Sequence, residues 1–102
     1  MRFADKFGFY ELNPMPGCNQ VVISNHAFIY PEFRGKGLGQ KQHQERLDKA
    51  RELGYNYILC TVQLGNKAEE AILKKNGWSV FATFLNKETQ HNVEIYGKSL
   101  HT

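Results

Sequence analysis

Val21-Val22-Ile23-Ser24-Asn25-His26-Ala27-Phe28-Ile29-Tyr30-Pro31-Glu32-Phe33-Arg34-Gly35-Lys36-Gly37-Leu38-Gly39 changes backbone character twice within one short stretch. Val21 to Tyr30 is rich in Val, Ile, Phe and Tyr, too short to cross a membrane, and closed by Pro31. It reads as a largely buried central strand. The glycines at 35, 37 and 39 form a turn, and the polar run Gln40 to Leu53 beyond it carries Leu38, Leu47, Ala50 and Leu53 close to helical spacing. Gly54 is placed to end that helix. A helix N-terminus presents unpaired N–H groups and the positive end of the helix dipole, which makes it an anion site. Glycines let the backbone approach a pyrophosphate without Cβ atoms in the way, and Arg34 and Lys36 add positive charge.

Working outward, the residues up to Phe9-Tyr10-Glu11-Leu12 read as one strand with a bend at Gly8. Asn13-Pro14-Met15-Pro16-Gly17 reads as the turn where the chain leaves the sheet. On the far side, Tyr55 to Val62 is a second β-forming run. Asn66 is placed to cap a second helix with inner positions Ala68, Ala71 and Ile72, stopped by Asn76-Gly77. Trp78 to Leu85 and Val93 to Leu100 then read as two strands. The expected class is α/β, with a mixed, twisted sheet of about five to six strands and two main helices. No repeat or linker divides the chain, so residues 1–102 are expected to form a single domain.

Composition narrows the function classes. Apolar content of 41% and charged content of 23% fall in the globular range. No apolar run suits a membrane span, and the charged start Met1-Arg2-Phe3-Ala4-Asp5-Lys6 does not suit a signal peptide. Cys18 and Cys60 lack ligand spacing, so neither zinc nor a disulfide framework is expected, and a cytoplasmic setting with reduced thiols follows. The net charge of +3 is spread along the chain. Nucleic acid is therefore not an expected partner, because phosphate binding wants a clustered basic face.

The glycine turn departs from two familiar phosphate motifs. A P-loop needs Ser or Thr after Gly-Lys, where Gly37 stands, and a dinucleotide fingerprint needs Gly or Ala where Gln40 stands. Arg34-Gly35-Lys36-Gly37-Leu38-Gly39, led in by Ile29-Tyr30-Pro31-Glu32-Phe33, instead resembles the Arg/Gln-x-x-Gly-x-Gly/Ala coenzyme A motif of the GNAT superfamily of N-acetyltransferases. Asn66, Ala68 and, eleven residues after the asparagine, Gly77-Trp78 are similar to that family's second segment. The resemblance runs from about Val21 to the C-terminus and implies a short form of the fold, without the usual N-terminal strand and helices. It implies acetyl-CoA as cosubstrate in a cleft where the central strand and its parallel neighbour splay, and direct attack by a primary amine. Backbone at Phe28 and Ile29 would hold the pantetheine arm, with the Ile29 backbone polarising the acetyl carbonyl. Arg34, Gly35, Lys36, Gly37, Leu38, Gly39 and Gln40 would hold the pyrophosphate, and Asn66 would reach the pantetheine or order the cleft.

The match has gaps on the catalytic groups. Many members place a tyrosine, as acid, seven residues after the asparagine, where this chain has Leu73. Bases sit on the central strand with the parity of Val21, Ile23, Asn25 and Ile29, and none of these ionises. Asn25 can position water, His26 is one residue out of phase, and Tyr30 is a substitute acid. Glu88 and His91 lie in a polar turn, and Cys60 reads as a buried small hydrophobe. The expected function is acetyl transfer to an amine of unassigned class; the alternative is a non-catalytic coenzyme A-binding or protein-interaction module. Gln42, His43 and Arg46, at helix positions where the family usually shows leucines, suggest a thinly covered surface and a homodimer whose partner helps wall the acceptor cleft.

Overall fold

The computed structural model describes residues 1–101, and of His26 only the backbone. Six strands form one mixed sheet: β1 (Arg2–Ala4), β2 (Gly8–Met15), β3 (Cys18–Ile29), β4 (Tyr57–Gln63), β5 (Ser79–Asn86) and β6 (His91–Ser99), in the order β1-β2-β3-β4-β6-β5. A single 3₁₀ turn (Pro31–Phe33) leads from β3 to helix α1 (Leu38–Glu52), and α2 (Lys67–Lys75) joins β4 to β5. The one parallel pair is β3 with β4, linked through α1 as a strand-helix-strand unit must be.

The N-terminal dozen residues are a hairpin rather than one bent strand. Asp5 is the reason: its Oδ1 accepts from the Phe7 and Gly8 N–H groups at 2.8 and 3.1 Å, folding residues 5 to 8 into a turn. Gly8 then meets β3 so closely that a Cβ there would lie 2.0 Å from the Phe28 carbonyl oxygen. Asn13 to Met15, read as turn, continue β2, and only Pro16-Gly17 make the reversal, with Gly17 at φ +80°. Pro14 is tolerated because β1 pairs with β2 only over Phe9 to Glu11, which leaves Pro14 on an open edge.

The register of β2 on β3 slips between Phe9↔Phe28 and Glu11↔Asn25. Two residues of β3, His26 and Ala27, therefore oppose Tyr10 in a bulge. This corrects the expected parity: beyond the bulge Phe28, not Ile29, shares the face of Val21, Ile23 and Asn25. Beside the bulge, the Gln42 amide of α1 donates to the Phe9 and Phe28 carbonyls at 3.2 and 3.3 Å.

One sheet face carries the core. Tyr10, Leu12, Val22, Ile58, Cys60, Val62 and Tyr96 are buried there beneath Leu47 and Ala50 of α1 and Leu73 of α2. The inner stripe of α2 corrects the expected one: Ala68 and Ala71 are exposed, whereas Glu69, Ile72, Leu73 and Asn76 are half-buried or buried. Their spacing is that of one helix face. A reading for apolar residues alone passes over Glu69, which is inward because Arg46 of α1 meets it at 3.5 Å.

The polar residues of α1 likewise do not mark a thin surface. His43 is fully buried and Arg46 is 4% exposed. His43 Nε2 accepts from the Trp78 indole N–H at 2.9 Å, and Arg46 donates to Ser24 Oγ at 3.1 Å. Both satisfy partners on neighbouring elements, which is how buried polar groups are retained. The opposite sheet face has no described helix over it, and Phe9, Ile23, Tyr57, Leu59 and Ile95 are half-buried there.

Candidate functional site

β3 and β4 hydrogen-bond only over Val21–Ile23 and Tyr57–Leu59, although β3 runs on to Ile29 and β4 to Gln63. The strand ends part, and the bulge in β3 begins just past the last paired residue. Two cavities occupy the gap and its mouth. One of about 540 Å³ lies between the N-terminal ends of α1 and α2, bounded by the loop Arg34–Gly39 and by Ala27, Phe28 and Ile29. The other, of about 310 Å³, lies among Ser24, Asn25, Cys60, Thr61 and Gln63. Arg46, Asn66 and Glu69 line both.

The loop has the geometry of an anion cradle. Gly35 and Gly37 hold φ of +79° and +76°, and nothing lies within 4 Å of where a Cβ would stand on either. Among the described residues, no acceptor takes the backbone N–H groups from Gly35 to Gln40. They open at the positive end of α1, with no acidic residue in its first turn. A pyrophosphate would supply acceptors for these groups, so the loop fits the group that the motif implies.

Side chains around the loop brace it. Arg34 folds back, its Nε donating to the Ile29 carbonyl at 2.9 Å and its guanidinium lying 4.8 Å from the Phe28 ring centroid. The Gln40 amide pairs with Asn76, tying the start of α1 to the end of α2. Lys36 is exposed, and Leu38 and Gly39 form the first turn of α1. Asn66 caps α2, its Oδ1 accepting from the Glu69 N–H at 3.3 Å.

The catalytic candidates are distributed unevenly. Asn25 lines the smaller cavity, and its Oδ1 accepts from Asn13 at 3.1 Å. Ile29 lines the larger one, and its carbonyl accepts from Arg34. Tyr30 packs edge-on against Phe9 and Phe28, with centroids 6.1 Å away in each case, and lines neither cavity. The side chain of His26 lies outside the described residues. Leu73 is fully buried and offers no proton. Burial pushes the Cys60 thiol up to about 12, so it stays a thiol rather than a nucleophile.

Sequence reading did not find Arg46, Glu69 and Ser24. The signal was present: His43, Arg46, Leu47 and Ala50 stand at i, i+3, i+4 and i+7, the stripe of one buried helix face. A charged residue on such a stripe needs a partner, and Glu69 is the carboxylate that meets it.

Comparisons with known proteins agree with this fold. The family described as "Acetyltransferase (GNAT) family" matches residues 5–78. The L-amino acid N-acyltransferase MnaT of Escherichia coli (strain K12) is 26% identical over 61 residues, 60% of this chain and 36% of that protein. Among solved structures, yncA from Salmonella typhimurium, solved with acetyl-CoA, matches with a TM-score of 0.81 at 18% identity, over 94% of this chain and 59% of that one. The IAA acetyltransferase of Bacillus cereus matches with a TM-score of 0.81 at 13% identity, over 91% and 69%. The chain thus spans about a third of the curated relative and about three fifths of yncA.

Proposed function

The chain belongs to the GNAT acetyltransferase family, and from that premise we propose that it moves an acetyl group from acetyl-CoA to a primary amine by direct attack in a ternary complex. The observation that carries this is the run of unpaired N–H groups from Gly35 to Gln40, opening onto a cavity that leads to the splay of β3 and β4. Pyrophosphate sits on the loop, pantetheine follows Phe28 and Ile29 past Asn66, and the thioester reaches the gap. The protein supplies proximity and a polarised carbonyl. Asn25 orders water there. Tyr30, packed away from both cavities, serves the loop rather than the thioester. The setting is cytoplasmic, with Cys18 and Cys60 as free thiols. No described helix is long and apolar enough to cross a membrane.

Thiol release from acetyl-CoA, measured against a panel of α-amino acids, small amines and peptide N-termini, tests the proposal. Release that depends on an amine supports it. The buried Leu73, standing where the family resemblance implies an acid, favours one other reading, a coenzyme-binding module without turnover. Tight acetyl-CoA binding with no release in the presence of any amine would select that reading.

Asn66→Ala is expected to cost about 1 kcal/mol of stability through the lost cap and also to raise the Michaelis constant for acetyl-CoA. Thermal melts and saturation kinetics read the two losses separately. An unchanged Michaelis constant would reduce Asn66 to a cap. We also place the chain in a homodimer, because the sheet face bearing Tyr57, Leu59, Ile95 and the 56%-exposed Phe81 is apolar and has no described helix over it. Light scattering coupled to size exclusion is expected to give twice the chain mass. A stable monomer that turns over substrate would overturn that assembly.

A further inference from the structure

Arg46 and Glu69 join α1 to α2 at the boundary of the two cavities. Arg46 is anchored by its bond to Ser24, whereas Glu69 is held by a single contact of 3.5 Å and keeps 27% of its side chain exposed. A buried ion pair is a poor device for stability, since apolar replacements serve as well or better. Glu69 is also the one carboxylate among the described residues lining either cavity. The remaining ionisable groups there are Arg34, Arg46 and the Cys60 thiol. Arginine cannot accept a proton, and a protonated thiol is no base. Paired with Arg46, Glu69 is an acceptor with an oxygen to spare at the junction where pantetheine and acceptor would meet.

We propose that Glu69 is the general base of the cleft and Arg46 its positioning residue. The assignment rests on the acyl-transfer reading above. The amine nitrogen attacks the thioester carbonyl carbon: the C–N bond forms, the C–S bond breaks, and coenzyme A leaves as the thiolate, to be protonated by solvent. The proton shed by nitrogen passes to the Glu69 carboxylate, directly or through one water, and from there to bulk water. The charged and titratable groups facing Glu69 are the Arg46 guanidinium from α1 and the Cys60 thiol from β4.

The test takes the best amine of the panel and compares wild type, Glu69→Gln and Arg46→Met in pH-resolved kinetics, with acetyl-CoA affinity from calorimetry. Glu69→Gln keeps the side chain's size and the capped N–H, and is expected to lower kcat at least about a hundredfold. Acetyl-CoA affinity should stay within about twofold. Arg46→Met should lower kcat more than it changes the Michaelis constants. Arg46→Lys, which keeps a cation, should recover part of that loss, and it carries the test if the methionine variant does not fold. A Glu69→Gln enzyme with wild-type kcat would overturn the assignment. So would a variant that loses acetyl-CoA affinity in place of kcat, which would make the pair a coenzyme contact. A wild type without amine-dependent release would overturn the acyl-transfer reading, and the base with it, before any variant is compared.

Discussion

Gly37→Asp is expected to weaken acetyl-CoA binding by at least about a hundredfold, close to 3 kcal/mol, in a protein that remains folded. Two features of the position separate those effects. Nothing lies within 4 Å of a Cβ built there, and φ is +76°, a region that aspartate tolerates better than most residues. A carboxylate beside the first N–H groups of α1 also suits the helix dipole, so the strain of the substitution is partly offset. The same carboxylate competes for the N–H groups that would hold pyrophosphate and repels its charge. Gly39→Ala is the matched control. Its Cβ would meet only Ile72 Cδ1 at 3.5 Å, an ordinary contact, and the residue is already helical. Calorimetry on both variants decides the matter: undiminished affinity in a folded Gly37→Asp protein would remove the coenzyme from this loop.

The second large effect is on stability in mild acid. His43 is fully buried, accepts from Trp78, and has its pKa pulled from 6.5 down to about 4 by burial first, then by Arg46 and Lys98. Above pH 6.5 neither the folded nor the unfolded chain protonates this histidine, and it contributes no pH dependence. Between pH 6.5 and about 4 the unfolded chain takes up the proton and the folded one does not, so stability falls as pH falls. At about 1.4 kcal/mol per unit, the loss between pH 7 and 4.5 should be on the order of 2 to 3 kcal/mol. His43→Gln keeps an acceptor for the Trp78 N–H and removes the titration. Urea unfolding across that range should show the slope in wild type and a much flatter one in the variant. Equal slopes would show that His43 is not the group responsible.

Gly37 was legible in the chain together with its setting, whereas His43 was legible in type alone. The glycine loop could be read directly, because positive φ and close approach to a phosphate are properties of glycine backbone that need no tertiary partner. The order strand, helix, strand around it was legible for the same reason: Pro31, Gly54 and Asn76-Gly77 act on their own neighbours. The division of the N-terminal dozen residues was partly visible in Asp5, whose short side chain makes its turn locally, but the apolar pattern concealed it.

Other features depended on residues far apart in sequence. The bulge at His26 and Ala27 is a count of two residues against one, and it exists only once β2 is laid beside β3; no pattern within β3 announces it. It reversed the faces of Phe28 and Ile29. Gln42, His43 and Arg46 looked like a surface because polarity alone signals solvent, yet each is held inward by a partner fourteen or more residues away, at Phe28 or Phe9, Trp78, and Ser24. The sequence by itself determined the fold class and the glycine loop, which follow from local backbone chemistry. The tertiary structure alone decided which carboxylate reaches the cleft, because a buried charge is permitted only where folding brings its counter-charge.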